Sequence, residues 1–84
     1  MEVIMYSNKR CPYCQRAIAL LNEKNVKFDI IETSDNPEAF EEIKAKTGWK
    51  TVPQIFINGE FVGGFDDINA LDKDGKLDIK LGIK

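Results

Sequence analysis

Histidine is absent from the 84 residues, and cysteine occurs only twice. A four-ligand zinc site would therefore have to recruit acidic side chains or a second copy of the chain. One cysteine pair is too little for the disulfide framework of a small secreted domain. No apolar run reaches the roughly eighteen residues that a membrane helix needs. The N-terminal "MEVIMYSNKR" lacks the charged start, long apolar centre and small-residue cleavage site of an export signal. The expected location is the cytoplasm. Long basic runs are missing too, and a formal net charge of −2 with a pI near 5.1 repels polyanions, so nucleic acid is not an expected partner.

What is present reads as alternating strands and helices in one globular, monomeric domain over residues 1–84. "EVIMY" (Glu2 to Tyr6) is short and apolar, the pattern of a central strand. In "CPYCQRAIALLNEK", Cys14, Ala17, Ile18 and Leu21 fall at i, i+3, i+4 and i+7, the mark of an amphipathic helix. "VKFDIIE" (Val26 to Glu32) is β-branched and alternating, a second strand. Ser34, Asp35 and Asn36 are candidate caps for a helix that takes Pro37 in its first turn, faces Phe40 and Ile43 inward and ends at Gly48. "PQIFINGEFVGG" gives two strands joined by Asn58-Gly59, a dipeptide that favours a type I′ turn. "FDDINALDKDG" is a third helix closed by Gly75, and "KLDIKLGIK" has room for a short fourth. The first two strands should be parallel through a right-handed crossover, with the hairpin adding antiparallel strands. The expected fold is α/β, a four-stranded mixed sheet flanked by helices on both faces.

Both cysteines lie in "KRCPYCQRA", at the join of the first strand and first helix. In that context Cys-x-x-Cys reads as thioredoxin-like redox chemistry. With Cys11 as N-cap, Pro12 takes the first helical position, where a missing N–H costs nothing. Cys14 is then three residues on, with its N–H aimed back at the Cys11 sulfur. The positive end of the helix, with Lys9 and Arg10 just upstream, favours a thiolate at Cys11. Cys14, tucked one turn further in, should be less exposed and less acidic, as a resolving thiol must be. Zinc binding, a cluster-bridging dimer, a structural staple and core filling are the rivals. A staple would close only a tiny loop and would open in a reducing compartment. Core filling does not explain Cys11 beside two cations.

"CPYC", "TVPQIFI" (Thr51 to Ile57) and "GGFDD" (Gly63 to Asp67) together resemble a dithiol glutaredoxin of the short bacterial or viral type, over nearly the whole chain. The resemblance implies the thioredoxin-like fold and glutathione-dependent reduction of protein disulfides and protein–glutathione mixed disulfides. It implies no bound cofactor and no metal, with glutathione as reducing co-substrate and ribonucleotide reductase among the family's clients. Thr51, Val52 and Pro53 resemble the family's cis-proline turn, whose backbone would pair with the cysteinyl unit of glutathione like an added strand. Gly64, after Gly63, would let the backbone approach the ligand. The N–H groups of Asp66 and Asp67 would receive the γ-glutamyl carboxylate at a helix N-terminus, and the Asp67 side chain would hold the γ-glutamyl ammonium. Those aspartates also suit plain helix capping. Tyr13 is expected to line the groove beside Cys11, and Trp49 either shields the groove or covers the second helix.

The chain departs from the family at Asn8, where a lysine often helps hold the glycine carboxylate of glutathione, and at Arg10, often a threonine. Lys50, which directly precedes Thr51, is the expected substitute, with Lys9 as the competitor. Two other readings stay open: a redoxin fed by thioredoxin reductase, which usually carries a Trp-Ser-Gly-Phe-Arg-Pro-like segment where this chain has "VGGFDD", and a non-catalytic cluster carrier.

Overall fold

The computed structural model describes residues 2–83. Strand β1 (Val3–Ser7) leads into helix α1 (Pro12–Glu23), then strand β2 (Asp29–Glu32) and helix α2 (Pro37–Thr47). Strands β3 (Gln54–Ile57) and β4 (Glu60–Gly63) form the hairpin, followed by helices α3 (Phe65–Lys73) and α4 (Leu77–Lys80). The sheet order is β2-β1-β3-β4, with β1 parallel to β2 and antiparallel to β3. Asn58 and Gly59 both have positive φ, 52° and 82°, as a type I′ turn requires.

Alternation in the two central strands sorts the side chains. Val3 and Met5 of β1, with Ile55 and Ile57 of β3, meet Ala17 and Leu21 of α1, Ile68 of α3, and Leu77 and Leu81. On the opposite face Ile4, Tyr6 and Phe56 share a shallow recess with Ile43 of α2. Helices therefore cover both faces, but unequally. α1 buries Cys14, Ala17 and Leu21, whereas α2 buries only Ile43. At the far end of α1, Lys24 pairs with Asp72 of α3 at 2.6 Å and Asp78 of α4 at 2.8 Å, clasping three helices together.

Three details differ from the expectation. The second strand begins at Asp29, not Val26, because Ile4 lies opposite Asp29 and the parallel ladder runs out at the start of β1. Val26 and Phe28 alternate because they pack against the core. The N-cap of α2 is Asn36, but its side chain does not cap; its amide donates to the Glu32 carbonyl at 3.0 Å instead. Phe40 is only partly buried, with the Lys44 ammonium 4.6 Å from its ring centre.

Candidate active site

Cys11 is the N-cap of α1, in extended backbone, and Pro12 opens the helix. The backbone N–H of Cys14 donates to the Cys11 sulfur at 3.1 Å, satisfying one of the donors that a helix start leaves free. Both cysteines are free thiols, Cys11 partly exposed and Cys14 buried. Burial pushes the Cys14 thiol up to about 11, helped by its interaction with Cys11 and opposed by the Ser7 hydroxyl and the Asn8 N–H. The pair is thus asymmetric. One sulfur meets solvent at a helix N-terminus, and the other keeps its proton beneath it.

Across from Cys11 stands the loop between α2 and β3. The Val52–Pro53 peptide is cis. The Cys11 thiol donates to the Val52 carbonyl at 3.7 Å. A surface recess lies on each side of this contact. In the first, Trp49, Thr51, Val52 and Pro53 face Tyr13 together with Gly64, Phe65, Asp66 and Asp67 at the start of α3. In the second, Cys11, Thr51 and Val52 meet Asn8, Arg10, Lys50, Thr33 and Phe40. All ten residues expected at the site from the sequence thus cluster there, except that Cys14 is buried behind Cys11.

Other assignments are refined. Trp49 stands in the groove wall, its ring edge-on to Phe61 at 5.1 Å. The glycines serve internal packing. A Cβ on Gly63, at φ 127°, would strike the Asp67 carboxylate, and one on Gly64 would come within 3.3 Å of the Pro53 carbonyl. Asp67 accepts the Gly64 N–H at 2.9 Å, so one of its oxygens caps α3. Lys9 is not among the recess residues. It lies beside Glu32, whose carboxyl is held below the usual carboxylate range first by the Ser34 hydroxyl and to a smaller degree by Lys9.

Four wall residues, Phe40, Phe65, Arg10 and Thr33, carry no clear site signal in the sequence. Phe40 has the spacing of a core residue on α2, and nothing in the sequence separates that from a groove wall. Phe65, 6.4 Å from the Tyr13 ring, sits between two motif glycines and two aspartates, a position that could have marked it. Arg10 reads in the sequence only as a cation beside Cys11, and Thr33, just past the second strand, has no distinguishing pattern at all.

A strand–helix join that holds a Cys-x-x-Cys opposite a cis-proline loop defines a dithiol redoxin of thioredoxin-like fold. The family model for glutaredoxin matches residues 3–62, and the chain belongs to the glutaredoxin family. Over 77 residues it is 46% identical to glutaredoxin 3 of Escherichia coli K12, spanning 92% of this chain and 93% of that protein. It is 47% identical over 79 residues to a glutaredoxin of Pseudomonas aeruginosa, covering 94% of each. Among solved structures, the Brucella melitensis glutaredoxin superposes with a TM-score of 0.85 at 47% identity, over 96% of this chain and 88% of that one. The buckwheat glutaredoxin–glutathione complex gives 0.89 at 31% identity, over 95% and 76%.

Proposed function

We propose that Cys11 is the attacking thiol and Cys14 the resolving thiol of this glutathione-dependent thiol–disulfide oxidoreductase. The observation that carries the assignment is the asymmetry of the pair: a partly exposed Cys11 sulfur at the start of α1 against a buried Cys14 held near 11. On a glutathionylated protein, the Cys11 thiolate attacks the glutathione sulfur. The client leaves as a thiolate, and Cys11 carries the glutathione as a mixed disulfide. A second glutathione thiolate then attacks the glutathione sulfur, releasing oxidised glutathione and restoring Cys11. On a protein disulfide, the Cys11 thiolate attacks one client sulfur and bonds to it, and the client's other sulfur leaves as a thiolate. Cys14 then surrenders its proton to the departing client thiolate and attacks Cys11, leaving the Cys11–Cys14 disulfide for two glutathiones to reduce.

The two recesses support a ligand lying across Cys11. The Val52 N–H, unpartnered among the described residues, and the Val52 carbonyl facing Cys11 suit strand-like pairing with its cysteinyl unit. Tyr13, Gly64, Asp66 and Asp67 suit the γ-glutamyl end, with the first N–H groups of α3 offering an anion site. Lys50 suits the glycine carboxylate in the second recess, where Asn8 has lost the usual lysine, and Arg10 adds a second cation there. Clients are disulfide-bonded or glutathionylated proteins, with ribonucleotide reductase as a family-level candidate. The deciding experiment is a coupled assay on a glutathionylated protein, comparing glutathione with thioredoxin reductase as electron source. Turnover with glutathione is expected; turnover with thioredoxin reductase alone would replace this reading.

A further inference from the structure

Gln54 is fully buried, and its side chain makes three hydrogen bonds, all to the segment 47–51. Its amide nitrogen donates to the Trp49 carbonyl at 3.0 Å and to the Thr51 carbonyl at 3.1 Å. Two carbonyl acceptors fix which end of the amide is nitrogen, since only that end has hydrogens. The amide oxygen meets the Thr47 hydroxyl at 2.9 Å, and the same hydroxyl accepts the Trp49 N–H at 3.1 Å. Thr47 closes α2 and Gln54 opens β3, so two side chains clamp the loop from both ends.

The bond to Thr51 has a directional effect. A trans peptide is planar, with its C=O and N–H pointing in opposite directions. The Thr51 carbonyl is held inward by Gln54, so the Val52 N–H of the same peptide is turned away from Gln54. Among the described residues that N–H has no hydrogen-bond partner. The Val52 carbonyl, one atom group further on, faces the Cys11 sulfur. A loop free to rotate this peptide would have to order it at every binding event, at a cost in affinity.

We infer that Gln54 is a positioning residue for the thiol–disulfide exchange, holding the Thr51–Val52 peptide in the orientation that receives the backbone of a thiol tripeptide. It touches no reacting atom. The inference rests on the proposed role of Val52, and its test separates the two. Gln54→Met keeps the volume and removes all three hydrogen bonds. Its KM for glutathione should rise about tenfold, equivalent to roughly 1.4 kcal/mol, with kcat at saturating glutathione and the rate of Cys11 alkylation by iodoacetamide unchanged. A merely structural role would lower the melting temperature and leave the KM of the folded protein alone, and that result overturns the inference. If Gln54→Met does not fold, Thr47→Val carries the same test in smaller degree. If wild-type protein fails to turn over with glutathione, the functional reading falls by itself. The positioning role is then read from ¹⁵N relaxation of residues 49–52, ordered in wild type and mobile in the variant; equal order in both overturns it.

Discussion

Raising the pH on the reduced protein should reveal the buried thiol directly. Cys14 titrates near 9.0 when exposed and is pushed up to about 11 in the fold, chiefly by burial. Below pH 9 both folded and unfolded chains keep this proton, and the group does not bias folding. Above it the unfolded chain ionises first, so stability present at pH 8 is lost progressively between about 9 and 11. At pH 10 the unfolded thiol is mostly ionised and the folded one is not, a difference on the order of 1 kcal/mol in favour of unfolding. For a domain of this size that corresponds to roughly 4–8 °C in melting temperature. The assay is a series of thermal melts by circular dichroism from pH 7.5 to 10.5, under a phosphine reductant, on wild type and Cys14→Ser. Other titrating groups are common to both proteins, so the signal is the divergence of the two curves above pH 9. Parallel curves would refute the argument that burial holds Cys14 protonated.

Cys11→Ser should abolish all reductase activity, while Cys14→Ser keeps reduction of glutathionylated protein; the reverse pattern in the glutathione-coupled assay would exchange their roles. Lys50→Ala should raise the KM for glutathione by about two- to fivefold, as expected for one exposed charge pair, and the effect should shrink with salt. Lys9→Ala, beside Glu32, should leave that KM unchanged, and a large rise there would move the role to Lys9. Gly63→Ala places a Cβ against the Asp67 carboxylate at a φ that alanine avoids, and urea unfolding should register a loss of roughly 1–3 kcal/mol. Wild-type stability in that variant would show the α3 cap to be dispensable.

Much of this architecture was legible because local and global signals agree. Cys11-Pro12 could be read as a helix start, Asn58-Gly59 as a hairpin turn and Gly75 as a helix stop, since each has a backbone geometry that few other residues fill. The groove was legible where motif residues form its walls, as at Thr51, Val52 and Pro53, which the cis-proline loop sets opposite Cys11. It was less so where side chains choose between neighbours. Phe40 has an apolar helical spacing, but α2 rests lightly on the sheet and leaves that ring facing the recess. Asp67 could bind a ligand or cap its own helix, and only the fold reveals that one oxygen is already taken by Gly64. Gln54, a polar residue opening an apolar strand, is meaningful only once the loop carbonyls converge on it.

The unequal seating of the helices has a consequence for how the site comes apart. α1, carrying the thiols, is fixed by three buried residues and by the Lys24 clasp; α2 buries only Ile43 and is otherwise tied to β3 through the Thr47–Gln54 hydrogen bond at its last residue. Local opening follows the least buried element. The lighter burial of α2 marks its N-terminal turns as the part of the groove wall expected to open first. Amide protons of α2 should exchange with solvent before those of α1. Slower exchange in α2 than in α1 would show that burial does not set the order of opening.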